Sequence, residues 1–156
     1  MTAPGTTGRV LVTGAAGFIG RALVAELARR GIPVHAAARS AITVPAGTRA
    51  VRVGDLGPAT DWSDALTGCD VVVHCAARVH VMHDTEADPY RAYRIPNVAG
   101  TEALASQAAA AGLKRLVFLS SVKVNGERTR PGKQIRHDDP PARLDPYGPS
   151  KADAED

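Results

Sequence analysis

Residues 9–20 read RVLVTGAAGFIG: a short run of Val and Leu, then Gly14, Gly17 and Gly20 in close succession. The Val-Leu run suits a buried strand, because branched side chains pack well on a pleated surface. The glycines suit the turn from that strand into a helix. Gly14 lets the backbone leave the strand sharply. Gly17 lets a diphosphate reach the main chain where helix N–H groups favour its charge, and Gly20 lets the helix lie close on the sheet. A tight turn with no ligand would use the same residues, and three glycines alone are weak evidence. Their place between a buried strand and an amphipathic helix favours the phosphate reading.

Outward from this turn, the pattern alternates between apolar runs and amphipathic segments. Residues 9–13 form the first predicted strand. A helix is predicted over 19–30, with Ile19, Leu23 and Leu27 on one face, Arg29 and Arg30 near its end and Gly31 as its stop. Further strands are predicted at 33–38, 49–53, 70–74 and 115–119, with a short helix at 63–66 and a long helical region over 84–112. Residues 125–141 read as a basic loop rich in Pro and Gly. Asp145 and Pro146 suit the N-cap and first position of a last helix, and Pro149 is harmless only in its first turn. The order β-α-β-β-α-β-α-β-α predicts an α/β protein: a Rossmann-type doubly wound parallel sheet with helices on both faces.

Bulk properties narrow the function classes. The chain has 156 residues, 44% hydrophobic and 22% charged, with a formal net charge of +3. That is one domain's length, enough for a real core. Its Arg and Lys are scattered, so nucleic acid is not implied, and no apolar run is long enough to span a membrane. Residues 1–8 lack the basic and apolar regions of a signal peptide and read as a flexible leader before a domain at 9–156. Cys69 and Cys75 fit neither a disulfide framework nor a metal quartet, which suits a reducing cytoplasm. His80 and His83 lack companion ligands, so no metal site is expected. Trp62 reads as packing.

The GxxGxxG spacing, followed closely by Phe18 and Ile19, resembles the extended short-chain dehydrogenase/reductase family, in its nucleotide-sugar epimerase and dehydratase branch. The resemblance runs over residues 9–151 and implies a bound NAD or NADP. NAD enzymes of this fold usually end the second strand with an acid that holds the ribose hydroxyls. Here that stretch is Ala36-Ala37-Ala38-Arg39-Ser40. Arg39 would pair with a 2′-phosphate, so NADP is favoured; a solvated surface Arg is the alternative. By the same resemblance Asp55 and Leu56 lie beside the adenine, and Ala76 and Ala77 let the cofactor cross the fourth strand's end. Asn97 matches the family's NVxGT segment, although Pro96 before it removes an N–H and kinks a helix.

The resemblance also implies a catalytic set. Tyr147 and Lys151 stand four residues apart, hence on one helix face, and Ser121 follows the fifth strand. A free tyrosine, with a pKa of about 10, is a poor base near neutrality. A neighbouring ammonium and the charge of an oxidised nicotinamide favour its phenolate, which then takes a proton from a sugar hydroxyl as hydride leaves. Dehydratases of this branch place an Asp-Glu pair after the Ser or Thr; here Val122 and Lys123 follow Ser121, which disfavours dehydration. Residues 76–82 and 120–127 resemble 4-epimerases and 4-keto-sugar reductases of polysaccharide pathways. A nucleotide sugar is the implied partner, a homodimer is compatible, and the loop bearing Arg128, Arg130, Lys133 and Arg136 either meets its diphosphate or is solvated. Members of the family continue well past this helix. The chain therefore reads as truncated, with its sheet incomplete on the C-terminal side, and a non-catalytic NAD(P)-binding remnant or sensor is the alternative function.

Overall fold

The computed structural model describes residues 8–79, 87–129, 131–142 and 144–156. Five strands, β1 (Arg9–Thr13), β2 (Val34–Ala38), β3 (Thr48–Arg52), β4 (Cys69–His74) and β5 (Arg115–Phe118), form one parallel sheet in the order β3-β2-β1-β4-β5. The predicted doubly wound sheet is therefore present. β1 lies at its centre, with Val12 beside Ala36 of β2 and Val73 of β4. Both neighbours being strands, and both faces being covered, β1 and β2 are composed of small or apolar residues almost throughout.

Two apolar layers flank the sheet. On one face Leu11, Ala37 and Val72 pack with Trp62 and with Leu66 of α2 (Ser63–Leu66) and Leu104 of α4 (Gly100–Ala110). On the other, Val10, Val12 and Ala36 meet Val24, Leu23 and Leu27 of α1 (Phe18–Arg29). Successive side chains of a strand point to opposite faces, which is why Leu11 serves one layer and its neighbours the other. β3 and β5, at the two edges, are more exposed.

Element bounds fall within a residue or so of the sequence expectation, with one informative exception. The long helical region is three pieces: α3 (Pro89–Arg94), a π-helical turn (Ile95–Ala99), and α4. Pro96 has no N–H to give, and the Gly100 N–H reaches back to Ile95 O across the widened turn. Beyond β5, a 3₁₀ turn (Val122–Val124) precedes the last helix, α5 (Tyr147–Ala152). α5 begins one residue later than expected, at Tyr147 with Pro146 in the cap position; Asp145, just before it, still accepts the Gly148 N–H on Oδ1 at 2.7 Å, and Pro149 falls in the first turn. Lys123 secures that corner by ion pairs to Asp145 and Glu127 at 2.7 and 2.5 Å.

Residues 1–7 of the expected leader, the first residues of the 84–112 region, His80, His83 and Arg130 lie outside the described residues. Among the described residues no helix is long and apolar enough to cross a membrane.

Candidate functional site

The C-terminal ends of the central strands open into a cleft of about 980 Å³, at the switch point between β1 and β4 where ligands of doubly wound sheets bind. Its geometry begins with the glycine turn. Gly14 has a φ of +64°, and a Cβ there would stand 2.7 Å from the Ala76 backbone nitrogen. A Cβ on Gly20 would run into the Gly14 carbonyl. Both positions thus exclude side chains, by conformation and close approach in the first case and by close approach in the second. α1 starts at Phe18 with Gly17 as its N-cap and no side chain bonded there. The first-turn N–H groups therefore keep their hydrogen-bonding capacity, and the helix dipole adds partial positive charge. This cradle fits a diphosphate.

Around the turn, the cleft is lined by Gly17, Phe18 and Ile19, by Arg39 at the end of β2, by Asp55 and Leu56, by Ala76 and Ala77 after β4, and by Ser121, Tyr147 and Lys151. The Arg39 guanidinium stands 3.5 Å from the Asp55 carboxylate, both well exposed. Ser121 Oγ accepts the Lys123 N–H at the head of the 3₁₀ turn. The Tyr147 ring meets Tyr93 edge-on at 6.2 Å, and the Arg78 guanidinium lies over the Tyr93 ring at 5.2 Å.

Asn97 is placed differently from the other expected residues. It is buried behind the wall of the cleft, its Oδ1 accepting from Arg78 N at 2.7 Å and its Nδ2 donating to Ser150 Oγ and Arg78 O. Ser150 Oγ in turn donates to Tyr147 O. Asn97 thereby ties the strand-end segment to α5. Trp62 packs in the core, as expected, but also lines the cleft. Nothing in its sequence context signals that second role.

Sequence reasoning gave His74 no role. Fully buried at the end of β4, it lies 2.6 Å by Nδ1 from Thr13 Oγ1 and 3.1 Å by Nε2 from Thr101 Oγ1. The Thr101 hydroxyl spends its proton on Asn97 O, so it must accept from His74 Nε2–H. The neutral ring's Nδ1 then accepts from Thr13, whose oxygen also accepts from the Ala76 N–H. One imidazole thus links the glycine turn to the π turn. Burial, and next the nearby Lys151 charge, lower its pKa to about 4. Burial also lowers Lys151, to about 8, against a smaller opposing effect of Glu155. The Cys75 thiol is pushed up by burial, with Lys151 opposing.

Residues 10–156 match the NAD dependent epimerase/dehydratase family, and the chain belongs to it. A UDP-glucose 4-epimerase of Vibrio cholerae is 46% identical over 147 residues, which are 94% of this chain and 44% of that protein. A 4-hydroxy-2-methyl-3-oxo-4-farnesyl-3,4-dihydroquinoline-1-oxide ketoreductase of Stigmatella aurantiaca is 35% identical over 152 residues, again 94% of this chain and 44% of the relative. Among solved structures, MoeE5 in complex with UDP-glucuronic acid and NAD superposes with a TM-score of 0.81 at 37% identity, covering 95% of this chain and 47% of MoeE5. The chain spans less than half the length of each.

Proposed function

We propose that residues 9–156 form the dinucleotide-binding part of a nucleotide-sugar 4-epimerase or 4-keto-sugar reductase. The observation that carries this is one cleft in which the diphosphate cradle at Gly14–Gly20 and the Ser121, Tyr147 and Lys151 side chains face the same space. The Vibrio epimerase and the UDP-sugar complex of MoeE5 support the substrate class, and the Stigmatella ketoreductase supports the second reaction. Both reactions use the same side chains.

When bound, the cofactor would supply the hydride acceptor and donor of this scheme, and the cradle at Gly14, Gly17 and Gly20 would hold its diphosphate. The Tyr147 phenolic oxygen takes the hydroxyl proton of the sugar carbon, or gives a proton back to the keto oxygen. Ser121 Oγ holds the same sugar oxygen, and Lys151 places its ammonium one helical turn from Tyr147, lining the same cleft. Asp55 and Leu56 would hold the adenine, and the small Ala76 and Ala77 side chains at the end of β4 would admit the cofactor to the cleft. No acid ends β2, and the exposed Arg39 guanidinium is suited to a 2′-phosphate. We therefore assign NADP as the preferred cofactor, although MoeE5 holds NAD.

The test is titration of the purified chain with NADPH and NADH by nicotinamide fluorescence and thermal melting, followed by turnover of UDP-sugars. Saturable binding, tighter for NADPH, is expected; equal or tighter NADH binding removes the Arg39 assignment. Tyr147→Phe is expected to abolish turnover with cofactor affinity nearly unchanged. Binding with no turnover in either protein would reduce the function of this chain to dinucleotide binding.

A further inference from the structure

Lys151 presents an electrostatic problem that its own helix does not solve. It is 2% exposed, and an ammonium removed from water needs compensation. Among the described residues no carboxylate pairs with its Nζ. Glu155 acts on it through space only, and the Glu155 carboxylate is already bonded to the Ser120 hydroxyl. The other titratable groups around it are Cys75 and His74 from the end of β4 and Tyr147 on α5. None of them is an anion at neutral pH in its ordinary form.

What the ammonium does meet is a ring. Lys151 Nζ stands 3.8 Å from the centroid of Phe118, at the end of β5. The Phe118 ring is itself stacked with the His74 imidazole, centroids 5.9 Å apart and planes 28° from parallel. His74 is fixed by its bonds to Thr13 and Thr101, so the ring that receives the ammonium is braced by the same network that holds the glycine turn.

We propose that Phe118 is a positioning residue for the reaction: its ring face seats the Lys151 ammonium beside the cleft, one helical turn from Tyr147. The proposal rests on the functional reading of Tyr147 and Lys151 given above. The physical reason is the negative face of the aromatic ring, which attracts a cation most strongly where water is excluded. A carboxylate would do the same at the cost of occupying the ammonium's N–H donors and neutralising its field. A ring leaves those donors for polar atoms entering the cleft and leaves the positive charge to act on the neighbouring phenol. A leucine would fill similar space and give no such attraction, so the choice of an aromatic residue here has a function beyond filling the core.

The test reads Lys151 directly. The chain is labelled with carbon-13 at the lysine ε position, and the Lys151 resonance, assigned by its loss in Lys151→Met, is followed through the alkaline range. Phe118→Leu is expected to lower the Lys151 midpoint by roughly one pH unit. A trifluorinated phenylalanine at position 118 keeps the ring's size while withdrawing its negative face. The chain has two Phe, so this incorporation is made on Phe18→Tyr, with ordinary Phe118 in the same background as reference. The fluorinated chain is expected to show the same downward shift. An unchanged or raised midpoint there overturns the proposal, whatever Phe118→Leu does to folding. Failure of the wild type to bind either dinucleotide would instead overturn the functional reading, and the Lys151 titration would still decide whether the ring seats the charge.

Discussion

At the β1–α1 turn the candidate site is made of backbone: a positive-φ glycine, a glycine pressed against a carbonyl and a row of helix N–H groups. At α5, by contrast, it is made of buried side chains. Lys151 and Ser150 are buried on the helix, which itself has only six residues. From other elements, Asn97 bonds Ser150, and the Phe118 ring, stacked on His74, meets Lys151. The first region is specified by residues adjacent in sequence and needs little outside them beyond the sheet. The second exists only because four distant segments converge, and it holds a charge that burial disfavours. A short helix of this kind is too small to persist alone, so its order is borrowed from the network around it.

The sharpest way to break this contrast is at the turn. Gly14→Ala adds a Cβ to a left-handed residue and drives it into the backbone of Ala76. A loss of about 4 kcal/mol is expected from combined backbone strain and overpacking. Chemical denaturation checks it; a loss below about 1 kcal/mol would show that the turn yields easily and is not rigidly specified.

The next effect is smaller and reads the α5 side. His74 has a folded pKa near 4 against an ordinary value of 6.5. Below pH 6.5 the unfolded chain gains a proton that the fold resists, so stability falls with falling pH and the loss levels off below about pH 4. The expected contribution at pH 5 is a loss of about 2 kcal/mol relative to pH 7. His35, also lowered by burial, adds to the same window. The measurement is therefore the difference in pH slope of Tm between wild type and His74→Asn; identical slopes would remove His74 as the acid-sensitive element.

Lys151→Met sharpens the comparison from the opposite direction. Lys151 is charged at pH 7 in both states but is disfavoured in the fold, where its pKa is near 8 against 10.5. Replacing it with an apolar side chain of similar length is expected to stabilise the fold by about 1–2 kcal/mol at pH 7. The advantage should shrink as pH rises from 8 to 10.5, because the wild-type fold then sheds its proton before the unfolded chain does. Urea melts at both ends of that range check it. A variant less stable than wild type at pH 7 would mean that the Phe118 contact and its surroundings more than offset the burial of charge.

Much of this was legible in the sequence because it was local. The Val and Ala runs of β1, β2 and β4, the 3.6-residue periodicity of α1 and the spacing of Gly14, Gly17 and Gly20 each express a short-range rule, and the strands fall within a residue of expectation. The Asp145 bond at the head of α5 was readable because it joins residues three apart, although the helix starts one residue later than expected. The π turn was half legible: Pro96 announces a disturbed helix, but whether the chain kinks, stops or widens depends on what packs against it. Asn97 shows the limit. Its segment could be recognised, yet its side chain turns away from the cleft to bond Arg78 and Ser150, which lie 19 and 53 residues away.

The sequence by itself determined the order of elements, the glycine turn and the pairing of Tyr147 with Lys151 on one helix face, since each follows from backbone sterics or helical repeat. Only the tertiary structure decided that His74 is a neutral, doubly bonded link, that Lys151 is buried against the ring of Phe118, and that Asn97 anchors α5 from behind. Those facts depend on dielectric surroundings and on partners tens of residues apart, and neither is written in any local stretch of the chain.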